Sequence, residues 1–283
     1  NIIRIIKAKK INLVFTTGGY ISAPTIIAAR LLSIPVILHE SNLIPGMVTK
    51  YFGFLCEYVF IGFQETNSYL KNCKTIFTGT PLREQFYKYN ILPKWVPEGE
   101  GPLLLVMGGS QGARAINEVL YSSLKFLIQK NFRIVHIIGE HNYVDEKVID
   151  CKNYVQKKFT NEIAALLQNS DLVISRSGSG TINELIQTET PSILIPYPYS
   201  KNNHQEKNAM LLAEMGGSII IDQNKITKEF FEQTLNRVFE SKYKDGKYRY
   251  EVLNIMKKNM QNNSETKSNN EIKEIINYFL KEF

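Results

Sequence analysis

The chain has 283 residues, 43% hydrophobic and 22% charged, which is enough for about two domains with cores of ordinary size. No apolar run approaches the ~20 residues that span a bilayer and no secretory leader is read, so folding in the cytoplasm is expected. A formal charge of +7 and a pI near 9.1 favour an anionic partner, whether nucleic acid, an anionic membrane surface or a phosphorylated substrate.

The chain opens at Asn1 directly on a helical pattern, so an upstream part of a longer protein is expected to precede it. Residues 1–10 set Ile2, Ile3, Ile5 and Ile6 among Arg4, Lys7, Lys9 and Lys10, a spacing that suits packing on a sheet or lying on an anionic bilayer. An apolar run at 13–16 predicts a strand that ends in Thr17-Gly18-Gly19-Tyr20 and opens a helix over 22–32. The next strand, 34–38, delivers His39, Glu40, Ser41 and Asn42 at its C-terminal end, where ligand contacts are made in open α/β sheets. The alternative for His39 is a residue bonded to a backbone carbonyl. A helix is expected over 45–54, carrying Lys50, Tyr51 and Phe52, and strands over 58–61 and 75–77. The second of these ends in Gly79-Thr80-Pro81-Leu82-Arg83, whose arginine fork suits a phosphate or a surface salt bridge. The stretch 91–101, with its prolines, glycines and lone tryptophan, has the composition of a linker, and the domain boundary is placed there.

A second strand and helix series starts at 102–107 with the turn Gly108-Gly109-Ser110-Gln111-Gly112-Ala113-Arg114. This is neither a Walker A loop nor GxGxxG, but it forms a helix N-terminus with Ser110 available to a phosphate oxygen. A helix to 128, strands at 132–138 and 154–159, and helices at 143–150 and 161–168 are expected next. The unit that follows, 173–209, reads as strand 172–175, a Gly/Ser turn at 177–180, helix 181–188, strand 192–196 and a polar loop into another helix. Its glycines let a phosphate or ribose approach the backbone, and Glu184 suits paired ribose hydroxyls; the bland alternative makes Thr181 to Glu184 a capping box. A strand at 218–221, helices at 227–240 and 248–260, a polar connection at 261–270 and a last amphipathic helix complete the chain. Cys56, Cys73 and Cys151 have no CxxC spacing, and neither a disulfide framework nor a zinc site is suggested.

Six ordered motifs, GGYISAP at 18–24, HESN at 39–42, GTPLR at 79–83, GGSQGAR at 108–114, SRSGSGTINEL at 175–185 and NHQEKNA at 203–209, carry a resemblance over essentially the whole chain. It resembles the MurG family, the N-acetylglucosaminyltransferases that convert lipid I to lipid II in peptidoglycan synthesis. The resemblance implies the α/β GT-B fold, two Rossmann-like parallel-sheet domains facing across a cleft, with the first incomplete here. It implies a partial acceptor-side domain over 1–90 joined by a returning helix at 265–283, and a UDP-sugar domain over 102–260.

Carried over by position, Ser110 would bind the diphosphate with Arg83, and Thr160 would meet the uracil through its backbone. Arg176, Ser179, Gly180, Thr181, Ile182, Asn183 and Glu184 would surround the nucleoside. Gln205, helped by His204, would bind the sugar, while Asn42, with Tyr20, His39, Glu40 and Asn117, would line the acceptor side. The family's GGTGGH loop, which carries the histidine proposed as base, is missing from this sequence. His204 stands where the family usually has glutamine, and Gly180 near where it has alanine.

The implied partners are UDP-N-acetylglucosamine, lipid I and the anionic inner leaflet of the cell membrane, with peripheral attachment at its cytoplasmic face and no nucleic acid. No cofactor is required, and divalent-cation stimulation stays open. Three rivals remain in view. One is a GT-B transferase with another lipid acceptor, or a UDP-sugar epimerase. Another is a non-catalytic UDP-sugar-binding fragment. The third, nucleic-acid binding, rests on charge alone.

Overall fold

The computed structural model describes residues 1–109, 111–140, 151–244, 247–263 and 269–282. They form two compact units, Asn1–Leu82 with Glu265–Phe283, and Arg83–Ser264.

The first unit is a four-stranded parallel sheet in the order β1 (Val14–Thr16), β2 (Val36–Glu40), β3 (Tyr58–Ile61), β4 (Thr75–Phe77). Its helices include α1 (Ile2–Ala8), α2 (Ser22–Leu31) and α3 (Met47–Phe52). Side chains alternate across β2, so Val36 and Leu38 join Ile6 and Ile26 in one core while Ile37 faces the other side with Phe60. That second face is covered by Ile272, Ile275 and Ile276 of the last helix, Asn269–Glu282, whose apolar stripe finds its burial there.

Strand β2 runs two residues further than its apolar run suggests. His39 and Glu40 pair with Phe60 and Ile61 of β3, so they lie inside the strand instead of after it. The interior position of β2 in the sheet extends the ladder, and side-chain hydrogen bonds satisfy the two polar groups.

The second unit is a six-stranded parallel sheet. Its series runs β5 (Leu103–Met107), α4 (Arg114–Gln129), β6 (Arg133–Ile137), β7 (Tyr154–Lys157), α5 (Ile163–Asn169), β8 (Leu172–Ser175), α6 (Ser179–Thr188), β9 (Ser192–Leu194), α7 (His204–Glu214) and β10 (Ser218–Ile220). The spatial order is β10-β9-β8-β5-β6-β7. From β5 the chain winds one way through β6 and β7, and from β8 it winds the other way through β9 and β10. The strand order therefore reverses between β5 and β8. Both of these strands are buried along their whole length, Leu-Leu-Leu-Val-Met in β5 and Leu-Val-Ile-Ser in β8, as a sheet covered on both faces requires.

Three expectations change here. The stretch 91–101 packs within the second unit: Trp95 Nε1 donates to Glu162 Oε2 at 2.7 Å, Lys157 sits over the indole ring and Val96 is buried, so the chain passes between units at Leu82 and Arg83 instead. Residues 248–250 are not helical. They belong to a hairpin that pairs Ser241–Lys244 with Lys247–Tyr250, and helix α8 (Lys228–Val238) precedes it while α9 (Glu251–Asn263) follows. Gln261 is thus helical, not part of a loop, and its amide donates to Glu189 at 2.7 Å. The helix expected over 143–150 lies outside the described residues.

Candidate functional site

A cavity of about 740 Å3 opens at the C-terminal ends of β5 and β8, where the strand order reverses. Such reversal points leave a crevice between loops that depart to opposite faces of the sheet. One wall is the loop after β5. Gly109 and Gly112 take φ of +83° and +84°, a region that favours glycine, and a Cβ on Gly112 would stand 2.4 Å from the Ile138 carbonyl oxygen. The loop therefore lies tight against the end of β6 and turns directly into α4.

Two helices begin at this cavity without a capping side chain, α4 after Ala113 and α6 after Gly178. Their first-turn N–H groups have no intrahelical partner, and each helix dipole adds positive potential. Arg176 and Arg114 line the same space, with Glu118 holding Arg114 at 2.7 Å. The arrangement suits an anion with several acceptor oxygens.

Of the residues singled out from sequence, Arg176, Thr181 and Gln205 line the cavity. Arg176 is occupied by the protein itself. Its Nη1 donates to the Ile195 and Pro196 carbonyls at 2.8 and 3.2 Å, its Nη2 to Gln223 Oε1 at 2.5 Å, and its guanidinium stacks 5.4 Å from the Tyr197 ring centroid. Burial lowers its pKa to about 10. Arg176 is thus a clamp on the loop after β9 whose positive charge still reaches the cavity. Gln205 is oriented the same way: its Oε1 accepts from the Tyr197 N–H at 2.9 Å.

Ser179, Gly180 and Asn183 lie in the first turns of α6, where Asn183 Nδ2 donates to the Ser179 carbonyl at 2.8 Å. The Ile182 side chain is fully buried in the core and only its backbone remains for a ligand. Because α6 starts at Ser179, Glu184 stands beyond the first turn, and no capping box forms with Thr181. Instead the Glu184 carboxylate sits 3.7 Å from Arg83 Nη2. Burial raises the Glu184 pKa and Arg83 partly opposes that. His204 opens α7 with its Nδ1 buried and without a partner among the described residues. Thr160 Oγ1 accepts from the Glu162 N–H at 3.1 Å. Ser110 lies outside the described residues.

In the first unit, His39 Nε2 is 3.0 Å from the Gly79 carbonyl oxygen, the bland alternative raised for it, and burial lowers its pKa. The Glu40 carboxylate is fully engaged: it accepts from the N–H and Nδ2 of Asn42 at 3.0 and 3.1 Å, from the Gly46 N–H at 2.8 Å and from Thr49 Oγ1 at 2.6 Å. Its work is to hold the loop that presents Asn42. Tyr20 is exposed. Asn117 is fully buried in the second unit, bonded to the Ile138 carbonyl oxygen and to His136, and lines no acceptor surface.

Gln111 lines the cavity as part of the 108–114 turn picked out above, while Tyr197 and Gln223 also line it and were not singled out from sequence. Tyr197 could have been found, since it follows a buried strand as the other lining residues do. Among the described residues no group of three or more His, Cys, Asp or Glu is placed to hold a metal ion.

Comparison with known proteins is consistent over the whole chain. The family model for the glycosyltransferase family 28 C-terminal domain matches residues 103–279, and that for the N-terminal domain matches residues 1–61. A UDP-N-acetylglucosamine--N-acetylmuramyl-(pentapeptide) pyrophosphoryl-undecaprenol N-acetylglucosamine transferase from Prochlorococcus marinus strain MIT 9312 is 75% identical, covering 100% of this chain and 78% of the relative. The enzyme of the same description from strain NATL2A is 46% identical over 96% of this chain and 76% of its own length. Among solved structures, Acinetobacter baumannii MurG aligns with a TM-score of 0.72 at 23% identity over 99% of this chain and 77% of that one. The S. aureus MnaA co-structure with UDP shares the fold, with a TM-score of 0.62 at 11% identity over 90% and 72% of the two chains.

Proposed function

The chain belongs to glycosyltransferase family 28, and we infer from that premise that it moves N-acetylglucosamine from UDP-N-acetylglucosamine to the muramoyl C4 hydroxyl of lipid I, forming lipid II. It is a hexosyltransferase of the inverting kind: the acceptor hydroxyl attacks the anomeric carbon while UDP leaves from the opposite face. The observation that carries the donor half of this reading is the cavity at the strand-order reversal, flanked by two uncapped helix N-termini.

Negative charge grows on the leaving diphosphate in the transition state. Fixed N–H donors at the starts of α4 and α6, with the Arg176 charge behind them, stabilise that charge without reorganising. In this reading Gln205 faces the sugar, Glu184 takes the ribose hydroxyls with Arg83 reaching the diphosphate, and Ser110 belongs to the phosphate loop. Asn42, held by Glu40, serves the acceptor from the first unit.

The acceptor is a membrane lipid, and the first unit carries a surface suited to one. Ile3, Ile5, Leu31, Tyr51 and Phe54 are exposed on it, Arg4, Lys7 and Lys50 lie on the same helices as several of them, and Lys9 follows directly after α1. Apolar side chains amid cations bind the interface of an anionic bilayer. No helix among the described residues is long and apolar enough to cross a membrane, and the attachment proposed is peripheral.

The test is transfer by the full chain from UDP-N-acetylglucosamine to a lipid I analogue, read as product mass. Product formation supports the reading. UDP binding without transfer would instead leave a nucleotide-sugar-binding chain. Flotation with anionic vesicles checks the surface: recovery in the lipid fraction that falls with salt is expected, and no binding at any salt contradicts it.

A further inference from the structure

Beneath the loop that walls the cavity lies a chain of polar side chains inside an otherwise apolar core. His136, fully buried in the middle of β6, places Nε2 3.0 Å from Asn117 Oδ1 and Nδ1 2.9 Å from Tyr154 Oη. Asn117 Nδ2 donates to the Ile138 carbonyl oxygen at 3.2 Å. Gln156 Oε1 stands 2.7 Å from Tyr154 Oη and accepts from Tyr121 Oη at 2.6 Å. Asn117 and Tyr121 are four residues apart on α4, His136 is on β6, and Tyr154 and Gln156 are on β7. The network thus ties one face of α4 to two strands.

The protons follow from the partners. Asn117 spends its N–H on the Ile138 carbonyl, so its Oδ1 takes a proton from His136 Nε2. Burial pushes the imidazole pKa down to about 3, so the ring is neutral and its Nδ1 carries no proton; the one Tyr154 hydroxyl proton is shared between Gln156 Oε1 at 2.7 Å and His136 Nδ1 at 2.9 Å. An apolar core would hold α4 about as firmly, since buried polar groups at best offset their desolvation. Directed bonds do something apolar contacts do not, which is to fix the rotation and axial position of the helix. The carbonyl that Asn117 grips is the one against which Gly112 packs.

We propose that Asn117, His136 and Tyr154 are positioning residues for the donor site: they set α4 and the Gly112 loop against the end of β6, so that the helix N-terminus meets the diphosphate in a fixed place. None of the three lines the cavity. The proposal rests on the donor-site reading above and names a part of the protein that acts through the loop and not on the ligand.

The experiment is calorimetric titration of UDP into the full chain and three variants, with Tm measured in parallel. Asn117→Asp replaces the N–H donor with an acceptor facing Ile138, and Tyr154→Phe removes the hydroxyl while keeping the ring. Leu127→Ala is the control: it lies on α4, fully buried and outside the network. Asn117→Asp and Tyr154→Phe are expected to raise the Kd for UDP by about fivefold or more, while Leu127→Ala lowers Tm yet leaves Kd within about twofold. Equal Kd in all four proteins, or Kd losses that track Tm in all three variants, overturns the proposal. Should Asn117→Asp fail to fold, Tyr154→Phe decides. A wild-type chain that binds no UDP overturns the donor-site reading and this inference with it, whereas normal wild-type binding with unaltered variants overturns the inference alone.

Discussion

Glu184 shows how a single environment sets both affinity and pH response. Its carboxylate is largely buried, which raises its pKa, and Arg83 offsets only part of that. Ribose hydroxyls bond best to the ionised form, so UDP affinity is expected to fall on acidification at a pH above the usual carboxylate range. Glu184→Gln should weaken binding about tenfold and remove that limb, as calorimetry across pH would read. A buried imidazole acts in the opposite sense. The His136 pKa is lowered to about 3, so below the ordinary imidazole value the unfolded chain takes up a proton that the folded chain refuses. Stability is present above that value and is lost as pH falls toward about 3. Urea unfolding should show a loss of roughly 2 kcal/mol from this residue between about pH 7 and pH 5, and His136→Gln should flatten it in part, since His39 is also lowered. The sequence pointed to Glu184 through its place early in the helix after a buried strand, and to Arg176 and Gln205 through the family resemblance of their motifs. It could not reveal that Arg176 is spent on the Ile195 and Pro196 carbonyls, because those partners come from a loop about twenty residues away.

At the level of elements, the glycines of the loop after β5 do the deciding. Gly112 has φ of +84° and no room for a Cβ beside the Ile138 carbonyl. Gly112→Ala is expected to cost about 2 kcal/mol or more in stability and to weaken UDP binding together with it, checked by Tm and calorimetry. Most strands and helices were legible because apolar runs bounded by Gly, Pro and Asn mark them plainly. Two failures have physical causes. Strand β2 absorbed His39 and Glu40 because β3 extends its ladder through Phe60 and Ile61, which its own sequence does not record. The hairpin of Ser241–Lys244 and Lys247–Tyr250 was read as helix at its second strand, although Asp-Gly separates the two strands and Tyr248, Arg249 and Tyr250 favour a pleated surface.

For the whole molecule, the last helix matters as much as either sheet. Its isoleucines cover Ile37 and Phe60, a face that would otherwise meet water. Ile272→Ala should destabilise the first unit by about 2–4 kcal/mol, read by denaturant unfolding, while UDP binding by the second unit stays unchanged. The existence of two strand and helix series was legible from periodicity, and the ordered motifs pointed to the family. The place where the chain leaves the first unit was not legible, because the proline- and glycine-rich stretch 91–101 looks like a linker until Trp95 and Val96 are seen to pack. Thermal unfolding of the full chain with nucleotide sugars tests the central claim most directly. UDP-N-acetylglucosamine at about a hundred times its Kd should stabilise the folded state by about 2.7 kcal/mol and raise Tm by a few degrees, with UDP-glucose at the same concentration giving a smaller shift. Equal shifts from the two sugars, or no shift from either, would contradict it.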